Sequence, residues 1–207
     1  MAGCISLPLT GMDMPLDQDT ETDDATLLAR YARGDAAATR TLTLRLTPRV
    51  FGHAFRVLGD RAEAEDVAQD AMLRLWKIAP KWEADRAQVS TWLFRVTANL
   101  CTDRLRKRRG GPALDDIAEP ADPAPGAEGQ LQTRARMDAL TAALQTLPDR
   151  QRQAVVLRHI EGLANPEIAD ILDVGVEAVE SLTARGKRAL KAALAPQKQA
   201  LGYSDDS

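Results

Sequence analysis

The sequence of 207 residues has few of the side chains that usually perform covalent or metal chemistry. Its two cysteines, Cys4 and Cys101, and its two histidines, His53 and His159, lie far apart in the chain. Such spacing argues against a zinc cluster, and the cysteines are typical of a reducing compartment, with Cys101 as a small core residue and redox sensing as the alternative. No nucleophile–base set or glycine-rich phosphate loop is present. We therefore predict no catalytic residues, no metal and no cofactor.

Long apolar runs are also missing, although 44% of the residues are hydrophobic. No run approaches the ~20 residues that cross a membrane. The N-terminal stretch MAGCISLPLTG lacks the positive charge and the apolar length of a signal peptide, so we expect a cytoplasmic protein. Aromatic residues make up only 4%, and Ala, Leu, Arg, Glu and Asp dominate, which favours helices over strands.

Charge is unevenly distributed along the chain. Residues 1–24 hold six acids and no Lys or Arg, and residues 111–130 hold five acids and no base. When residues 196–207 are also set aside, 26 bases remain against 17 acids. The segments that we expect to fold are therefore basic and suit an anionic partner, while the flexible ones are acidic. Ordinary solvated charge on a soluble protein is the alternative.

Helical periodicity organises the rest of the chain. The segment DDATLLARYARGD predicts a short helix that ends at Gly34. Further helices are predicted over residues 36–58, 60–78, 90–108, 132–146, 149–161, 165–172 and 175–194. The sequence therefore predicts an all-α fold of two small helical domains joined by a flexible acidic linker. The predicted boundaries are a disordered tail over 1–24, a first domain over 25–110, a linker over 111–131, a second domain over 132–195 and a tail over 196–207.

Five residues carry the predicted details of these helices. Asp60 and Glu63 form a start similar to a capping box. Ser90 and Asn165 are expected N-caps. Pro48 predicts a break or a kink in the second helix, because proline lacks the amide hydrogen and its ring clashes with the preceding turn.

The stretch from Asn165 to Leu190, NPEIADILDVGVEAVESLTARGKRAL, has helix-turn-helix spacing. Around the short turn DVG, the residues expected to face inward are Ile168, Ala169, Leu172, Val179 and Leu182. Because Ala169 is small, the two helices can cross closely and present the second one to a major groove. The residues available for contact are Ser181, Thr183, Ala184, Arg185, Lys187, Arg188 and Lys191. A helical hairpin that packs on another protein is the alternative.

The stretch from Thr91 to Arg109, TWLFRVTANLCTDRLRKRR, predicts an amphipathic helix with an unusual polar face. Its apolar side carries Leu93, Val96 and Leu100. Its polar stripe carries Arg95, Asn99, Thr102, Asp103 and Arg106. Trp92 falls in the middle of this stripe, although aromatic residues are rare in the chain.

The motifs AEDVAQDAMLRLW and STWLFRVTANLCTDRLRKRR together resemble regions 2.2 to 2.4 of the bacterial extracytoplasmic-function sigma factors, group 4 of the sigma-70 family. The stretch LQTLPDRQRQAVVLRHIEGLANPEIADIL and the helix after it resemble region 4 of the same family. The resemblance covers about residues 25–109 and 132–194. It implies two helical domains, regions 2 and 4, and a role in transcription initiation.

By this resemblance, the first motif is the helix that docks on a coiled coil of the β′ subunit of RNA polymerase. The implied docking residues are Asp66, Gln69, Asp70, Leu73, Arg74 and Trp76. The polar members recur at helical spacing, and Val67, Met72, Leu73 and Trp76 supply apolar contact. For Trp76, core packing is the alternative to a role as an interface anchor.

The second motif is implied to capture and open the −10 promoter element. The implied contacts are Arg86, Gln88, Ser90, Trp92, Arg95, Asn99, Asp103, Arg104, Arg106 and Lys107. An aromatic or guanidinium plane can stack on an unpaired base, an amide can read a base edge, and Arg or Lys can hold the backbone. The alternatives are that Trp92 caps the preceding helix and that the basic run from Arg104 to Arg109 is a solvated helix end.

Region 4 of the family reads the −35 element. The implied contacts are Glu177, Ala178, Glu180, Ser181, Thr183, Ala184, Arg185, Lys187 and Arg188. The chain departs from the common family pattern, T-V-K-S-R, because it has A-V-E-S-L from Ala178 to Leu182. Glu177 and Glu180 either accept hydrogen bonds from a cytosine amino group or balance the nearby bases.

The resemblance implies an alternative sigma factor that binds core RNA polymerase, through the β′ coiled coil and the β flap, and promoter DNA. It also implies a stress response and an anti-sigma factor that holds the protein inactive. Two other functions stay open: a sigma-like mimic that sequesters an anti-sigma factor, and a plain helix-turn-helix regulator of DNA. An enzymatic function has no support in the sequence.

Overall fold

The computed structural model describes residues 22–83, 88–110 and 128–197, and these ranges contain helices and no strand. Four helices form what we call the first bundle: α1 (Asp24–Ala32), α2 (Ala36–Leu58), α3 (Arg61–Ile78) and α4 (Val89–Gly110). Four more form the second bundle: α5 (Glu128–Gln145), α6 (Asp149–His159), α7 (Asn165–Leu172) and α8 (Val176–Leu194). Short 3₁₀ turns follow α3 and α8. The all-α prediction is confirmed. The predictions for both tails and for most of the linker concern segments outside the described residues.

Aspartates begin the first three helices, because each carboxylate accepts hydrogen bonds from amides that have no partner within the helix. Asp23 accepts from the Thr26 amide, and Asp35 accepts from the amides of Ala37 and Ala38. Asp60 accepts from the amide of Glu63 at 2.8 Å, as predicted, but the Glu63 carboxylate accepts from Arg108 and does not complete a capping box.

Several predicted details were wrong. Of the break or kink predicted at Pro48, the break is absent, because α2 continues through this residue. Ser90 and Asn165 are not caps, because α4 already begins at Val89 and Ala164 is the N-cap of α7. The Ala164 amide instead donates to Glu167, whose side chain takes over the capping role. Helix α5 begins at Glu128, four residues before the predicted start.

The long α2 is the centre of the first bundle and packs against α1, α3 and α4. Its buried Leu42, Leu46 and Val50 share a core with Leu75 of α3 and Leu93 of α4. Cys101 lies in a neighbouring core and is fully buried. Burial raises the pKa of the Cys101 thiol to about 12, which supports the predicted structural role of this residue over redox sensing.

The second bundle is held by the crossing of α6 and α8. Gly186 lies at this crossing, where a β-carbon would come within 2.5 Å of Val155 Cγ2 and 3.2 Å of the Gln151 carbonyl oxygen. Only glycine lets the two helices approach this closely. In the helix-turn-helix unit, Ile168, Ala169 and Val179 are buried as predicted.

The two bundles pack directly against each other. Phe94 and Ala98 of α4 share a buried cluster with Leu157, Ile168 and Val179 of the second bundle. This cluster places α4 beside α7, so the helix with the unusual polar stripe adjoins the helix-turn-helix unit. None of the helices within the described ranges is both long and apolar enough to span a membrane.

Candidate docking surface and nucleic-acid interface

One face of α3 is exposed over the length of the predicted docking motif. The side chains on this face are Asp66, Gln69, Asp70, Leu73 and Arg74. Leu73 is 57% exposed and is one of four large apolar side chains that are exposed within the described residues. A single exposed leucine is normal on a protein surface, so its meaning depends on the groove beside it.

An open groove of about 380 Å³ runs between this face and α2. Leu73 and Gln69 line it together with Phe51 of α2, and the half-buried Trp76 lies in its wall. The Trp76 ring also packs on Tyr31, with 4.5 Å between the ring centroids. Trp76 therefore packs in the core and also has an edge that a partner could contact. The structure is compatible with both predicted roles of this residue, core packing and interface anchor.

Two apolar residues of the motif do not contribute to the groove in the predicted way. Val67 is fully buried, and Met72 is 6% exposed. Both pack within the first bundle, because the helical period turns them away from the exposed face. The prediction that Val67 supplies apolar contact to a partner was wrong, and Met72 offers only an edge to the groove.

The polar stripe of α4 is exposed as the sequence predicts. Arg95, Asn99, Asp103 and Arg106 are all exposed and follow each other at one helical turn. Asp103 accepts a hydrogen bond from Arg106 at 2.9 Å, which holds the guanidinium along the helix. Gln88 and Lys107 are exposed and Ser90 is half-buried, while Arg86 lies outside the described residues.

Trp92 is half-buried at the start of the stripe. Its ring meets the Trp82 ring edge to face, with centroids 5.9 Å apart and an angle of 86° between the planes. Trp92 also packs against the core of the first bundle. One side of the indole is thereby fixed, and its remaining surface adjoins the stripe. A rigid, partly exposed ring can stack on a base at little entropic cost.

Arg104 does not join the stripe. Its guanidinium donates to Asp66 of α3 at 3.4 Å, on the other side of α4. Helical geometry explains the difference, since five residues advance the side chain by about 500°, well away from Asn99. Arg104 therefore connects the predicted docking helix to the predicted DNA-binding helix.

The first two-thirds of α8 present an exposed face away from the core. The exposed residues of the predicted −35 set are Glu177, Ala178, Glu180, Ser181, Ala184, Arg185, Lys187 and Arg188. Thr183 is an exception, because it is half-buried and its hydroxyl donates to the Val179 carbonyl of the same helix. Arg185 donates to Ser181, so both side chains are arranged on the surface before any DNA binds.

Positive charge gathers at one end of the α8 face. Lys187, Arg188 and Lys191 lie there, and His159 of α6 is nearby. Desolvation lowers the pKa of His159, and the charges of Lys187 and Arg158 lower it further. The positive potential of these Lys and Arg side chains disfavours an imidazolium ion and attracts phosphate groups.

Sequence reasoning missed the side chains that join the two bundles. Arg152 and Gln153 of α6 are buried charged and polar residues, although they lie in the polar run DRQRQ. No local signal indicated this contact, because the φ of +70° at Gly59, which lies beneath the Gln145 side chain, is explained by the end of α2 alone. Within the described ranges, no three His, Cys, Asp or Glu side chains cluster as a metal site requires.

Comparison with known proteins identifies both bundles. Residues 42–110 match the family model of sigma-70 region 2, and residues 137–190 match that of sigma-70 region 4. The chain is 32% identical to the RNA polymerase sigma-H factor of Pseudomonas aeruginosa, over 86% of this chain and 96% of the relative. It is 31% identical to the ECF RNA polymerase sigma factor SigW of Bacillus subtilis, over 79% of this chain and 92% of the relative.

Two solved structures are similar in fold. The structure of CnrH with the cytosolic domain of CnrY is matched with a TM-score of 0.59 and 26% identity, over 84% of this chain and 97% of that chain. The complex of the sigma factor RpoE with the anti-sigma factor NepR from Bartonella quintana has a TM-score of 0.59 and 21% identity, over 76% and 96% of the two chains.

Proposed function

The chain belongs to the extracytoplasmic-function family of RNA polymerase sigma factors, and we propose that it divides initiation among the exposed faces of α3, α4 and α8. As a sigma factor, it binds core RNA polymerase and directs initiation at specific promoters. The family is one of transcription regulators. One observation supports these separate roles most directly. The apolar Leu73 is exposed on α3, and a separate polar stripe is exposed on α4.

The α3 face is the proposed contact with the β′ coiled coil. Leu73 and the accessible edge of Trp76 would provide the apolar centre, and Asp66, Asp70 and Arg74 would provide the polar rim. An apolar centre within a polar rim is the arrangement in which a few residues supply most of the binding energy. The second bundle would contact the β flap.

The α4 stripe is the proposed site for the −10 element. Extruding a base costs a few kcal/mol, and stacking on an aromatic ring returns ~1–3 kcal/mol. Trp92 would stack on the base, Asn99 would read a base edge, and Arg95 and Arg106 would hold the backbone. No covalent step is needed, because binding energy alone can keep the strands apart.

The α8 face is the proposed reader of the −35 element. Arg185, Lys187 and Arg188 would contact phosphates, and Ser181 and Glu180 would face base edges in the major groove. A glutamate in this position favours a cytosine amino group. We expect the −35 sequence to differ from that of relatives with a basic residue here.

We further propose a division of the chain at residues 25–110 and 132–195 into regions 2 and 4, joined by the acidic linker. Regulation by an anti-sigma factor, as part of a stress response, is supported by the RpoE relative that forms such a complex. The compartment that we propose is the cytoplasm.

The experiment that tests the function is run-off transcription with purified core polymerase on the DNA upstream of the gene. We expect a discrete transcript only when the protein is present. Leu73→Glu should abolish the transcript and core binding, because a buried carboxylate would face the apolar centre of the interface. Met137→Glu is the matched control, since Met137 is 49% exposed on the second bundle and a charge there costs little. Equal loss in both variants would contradict the docking role of Leu73.

A further inference from the structure

The basic run at the end of α4 is divided between two faces of the helix. Arg106 follows Asn99 along the exposed polar stripe. Arg108 comes two residues later, and two residues turn a side chain by about 200° around the helix axis. Its guanidinium accordingly lies on the opposite face, against the turn between α2 and α3. The resemblance places Arg106 among the −10 contacts and gives Arg108 no role.

All three nitrogens of the Arg108 guanidinium have partners in the first bundle. Nε donates to Oε1 of Glu63 at 3.1 Å, and Nη2 lies 2.8 Å from Oε2 of the same carboxylate. Nη1 donates at 3.0 Å to the carbonyl of Leu58, the last residue of α2. An arginine whose planar group faces both oxygens of one carboxylate is held in a specific geometry, which most surface ion pairs lack.

Apolar packing holds α4 only as far as Leu105. Cys101 and Leu105 share a core with Val57 and Leu58 at the end of α2, whereas residues 106–109 are all exposed. The ends of helices open more readily than their middles. A contact that lies beyond the last apolar residue therefore determines how firmly the final turn of α4 keeps its direction.

Arg108 differs from the neighbouring arginines in where its partners lie. Arg104, one turn earlier, donates to Asp66 in the middle of the first half of α3. Arg109 pairs with Asp149 of the second bundle. Arg108 contacts the end of α2 and the first turn of α3 at once, so it fixes the last turn of α4 relative to the body of the first bundle.

We propose that Arg108 is a positioning residue for the −10 element, because it holds the last turn of α4 so that Arg106, on the opposite face, meets the DNA backbone. This inference rests on the proposed role of the α4 stripe. A side chain that contacts a ligand is effective only where its supporting element keeps it in place. Arg108 does not contact DNA itself, since its donors are used by Glu63 and Leu58. Neither Glu63 nor Arg108 belongs to the proposed polymerase contacts.

Replacing Glu63 distinguishes positioning from direct DNA binding. Glu63→Met leaves every base of α4 in place and removes one negative charge. If Arg108 were a DNA contact that Glu63 holds away from the phosphates, this substitution would release it and speed the melting of the −10 element. A positioning residue instead loses its partner, so we expect melting to slow about three- to tenfold in both Glu63→Met and Arg108→Met. Permanganate reactivity of thymines around −10 measures the rate, with holoenzyme on the DNA upstream of the gene.

A double-mutant cycle with Arg106 tests how the effect reaches the DNA. Arg106→Ala removes the side chain that Arg108 is proposed to position, although the two lie on opposite faces. Arg108→Met should then slow melting by less than about twofold in the Arg106→Ala background, whereas independent effects would multiply. Arg40→Met is the matched charge control, because Arg40 is exposed on α2 and about 27 Å along the helix from Leu58. We expect it to melt the −10 element at the wild-type rate.

Hydrogen exchange in the free protein tests the contact by itself. The amides in the last two turns of α4 should exchange about three- to tenfold faster in Arg108→Met and in Glu63→Met, because local opening costs less without the ion pair. The wild type and Arg40→Met should exchange equally. Co-purification with core verifies that docking is retained, and a thermal melt verifies that every variant is folded.

The exchange and melting results separate the possible failures. Unchanged exchange in both Arg108→Met and Glu63→Met would overturn the contact and with it the proposal. Faster exchange with wild-type melting of −10, faster melting in Glu63→Met, or multiplying effects of Arg106 and Arg108 would each overturn the positioning role. If the wild type itself opened no promoter, the proposed function would fail and the positioning role with it, while hydrogen exchange would still show whether Arg108 holds the end of α4.

Discussion

Arg152 and Val57 lie 95 positions apart in the sequence, yet the Arg152 guanidinium donates a hydrogen bond to the Val57 carbonyl at the end of α2. The same guanidinium donates to the Gln145 side chain and to the Leu147 carbonyl, which belong to the second bundle. One buried side chain thereby joins the end of a helix in the first bundle to the turn between α5 and α6.

Replacing Arg152 tests how much this junction contributes to stability. Arg152→Met should lower the free energy of unfolding by about 3 kcal/mol, because several buried acceptors lose their donor. Arg152→Lys should cost about 1–2 kcal/mol, since an ammonium group keeps the charge but cannot span the same acceptors as a planar fork. Urea unfolding followed by circular dichroism measures both values.

Arg150→Met is the matched control for this prediction. Arg150 lies on the same helix but is exposed, so its replacement should change stability by less than about 0.5 kcal/mol. If Arg150→Met and Arg152→Met were equally destabilising, the effect would belong to helix propensity or net charge and not to the junction.

Gly186 provides a prediction about the second bundle alone. Gly186→Ala should destabilise the protein by about 1–3 kcal/mol, because the new methyl group would overlap Val155 and cannot be accommodated by a flexible chain end. The gain of ~1 kcal/mol in helix propensity only partly offsets this cost. Adding Val155→Ala should recover part of the loss by making room, as thermal unfolding would reveal.

Gly175→Ala is the control for backbone effects. Gly175 precedes α8 with a φ of −73°, and a β-carbon there would meet nothing within 4 Å. We expect a net change of less than about 1 kcal/mol, because alanine is a poorer N-cap than glycine and its lower entropy in the unfolded chain offsets part of that cost. A Gly175→Ala protein as unstable as Gly186→Ala would mean that close packing at the helix crossing is not the cause.

Local signals accounted for most of the fold before the structure was known. The carboxylate of Asp60 satisfies an amide only three residues away, so its role can be read from the sequence. Val179 and Ile168 follow the helical period and are buried. Pro48 does not break α2, because surrounding tertiary packing outweighs the loss of one helical hydrogen bond.

The junction between the bundles could not be predicted in the same way. Arg152 is surrounded by polar residues in the sequence, and its acceptors at Val57 and Gln145 are chosen by the tertiary arrangement. The candidate DNA-binding faces were easier to predict from the sequence, because residues such as Arg95 and Asn99 are one helical turn apart and so lie on the same face. Arg104 shows the limit of such reasoning, because the family resemblance placed it among the −10 contacts, whereas its guanidinium pairs with Asp66.

His53 makes stability depend on pH. Complete burial lowers the pKa of His53 to about 3 in the folded protein, and the nearby charge of Arg56 lowers it further. The unfolded chain binds a proton near pH 6.5, so stability is full above that pH and falls as the pH drops toward 3. For this one residue, the loss at pH 5 should be about 2 kcal/mol.

His53→Leu removes the titrating group and also two buried nitrogens without partners. Urea unfolding at pH 7.5, 6 and 5 should show a flatter pH dependence for the variant than for the wild type, by about 2 kcal/mol over this range. Carboxylates that titrate in both proteins cancel in the comparison. Parallel curves for the two proteins would show that His53 takes up its proton equally in the folded and the unfolded state, which would contradict a pKa lowered by burial.

Trp92 tests the proposed melting surface. Trp92→Ala should slow open-complex formation about tenfold or more while core binding stays near wild type, because a stacking partner worth ~1–3 kcal/mol is lost. Permanganate reactivity of thymines around −10 measures melting, and co-purification with core measures docking. Trp82→Ala removes the ring packed on Trp92 without removing the stacking partner. Equal loss of melting in the two variants would mean that Trp92 acts through core packing.

Arg185 tests the proposed −35 reader through the salt dependence of binding. Each phosphate contact releases condensed counterions, so removing one contact reduces the slope of log affinity against log salt by about one. Arg185→Ala should therefore bind a −35 duplex more weakly and with a shallower slope, and anisotropy titrations at several salt concentrations would measure both.

Arg40→Ala is the control for this titration, because it removes one exposed positive charge from the first bundle. Its affinity at a given salt concentration should fall only slightly, and its slope should equal that of the wild type, since long-range attraction is screened beyond ~10 Å. A slope that is unchanged in Arg185→Ala would remove Arg185 from the phosphate contacts. A slope that falls equally in both variants would assign the effect to net charge and leave the α8 face without a specific role.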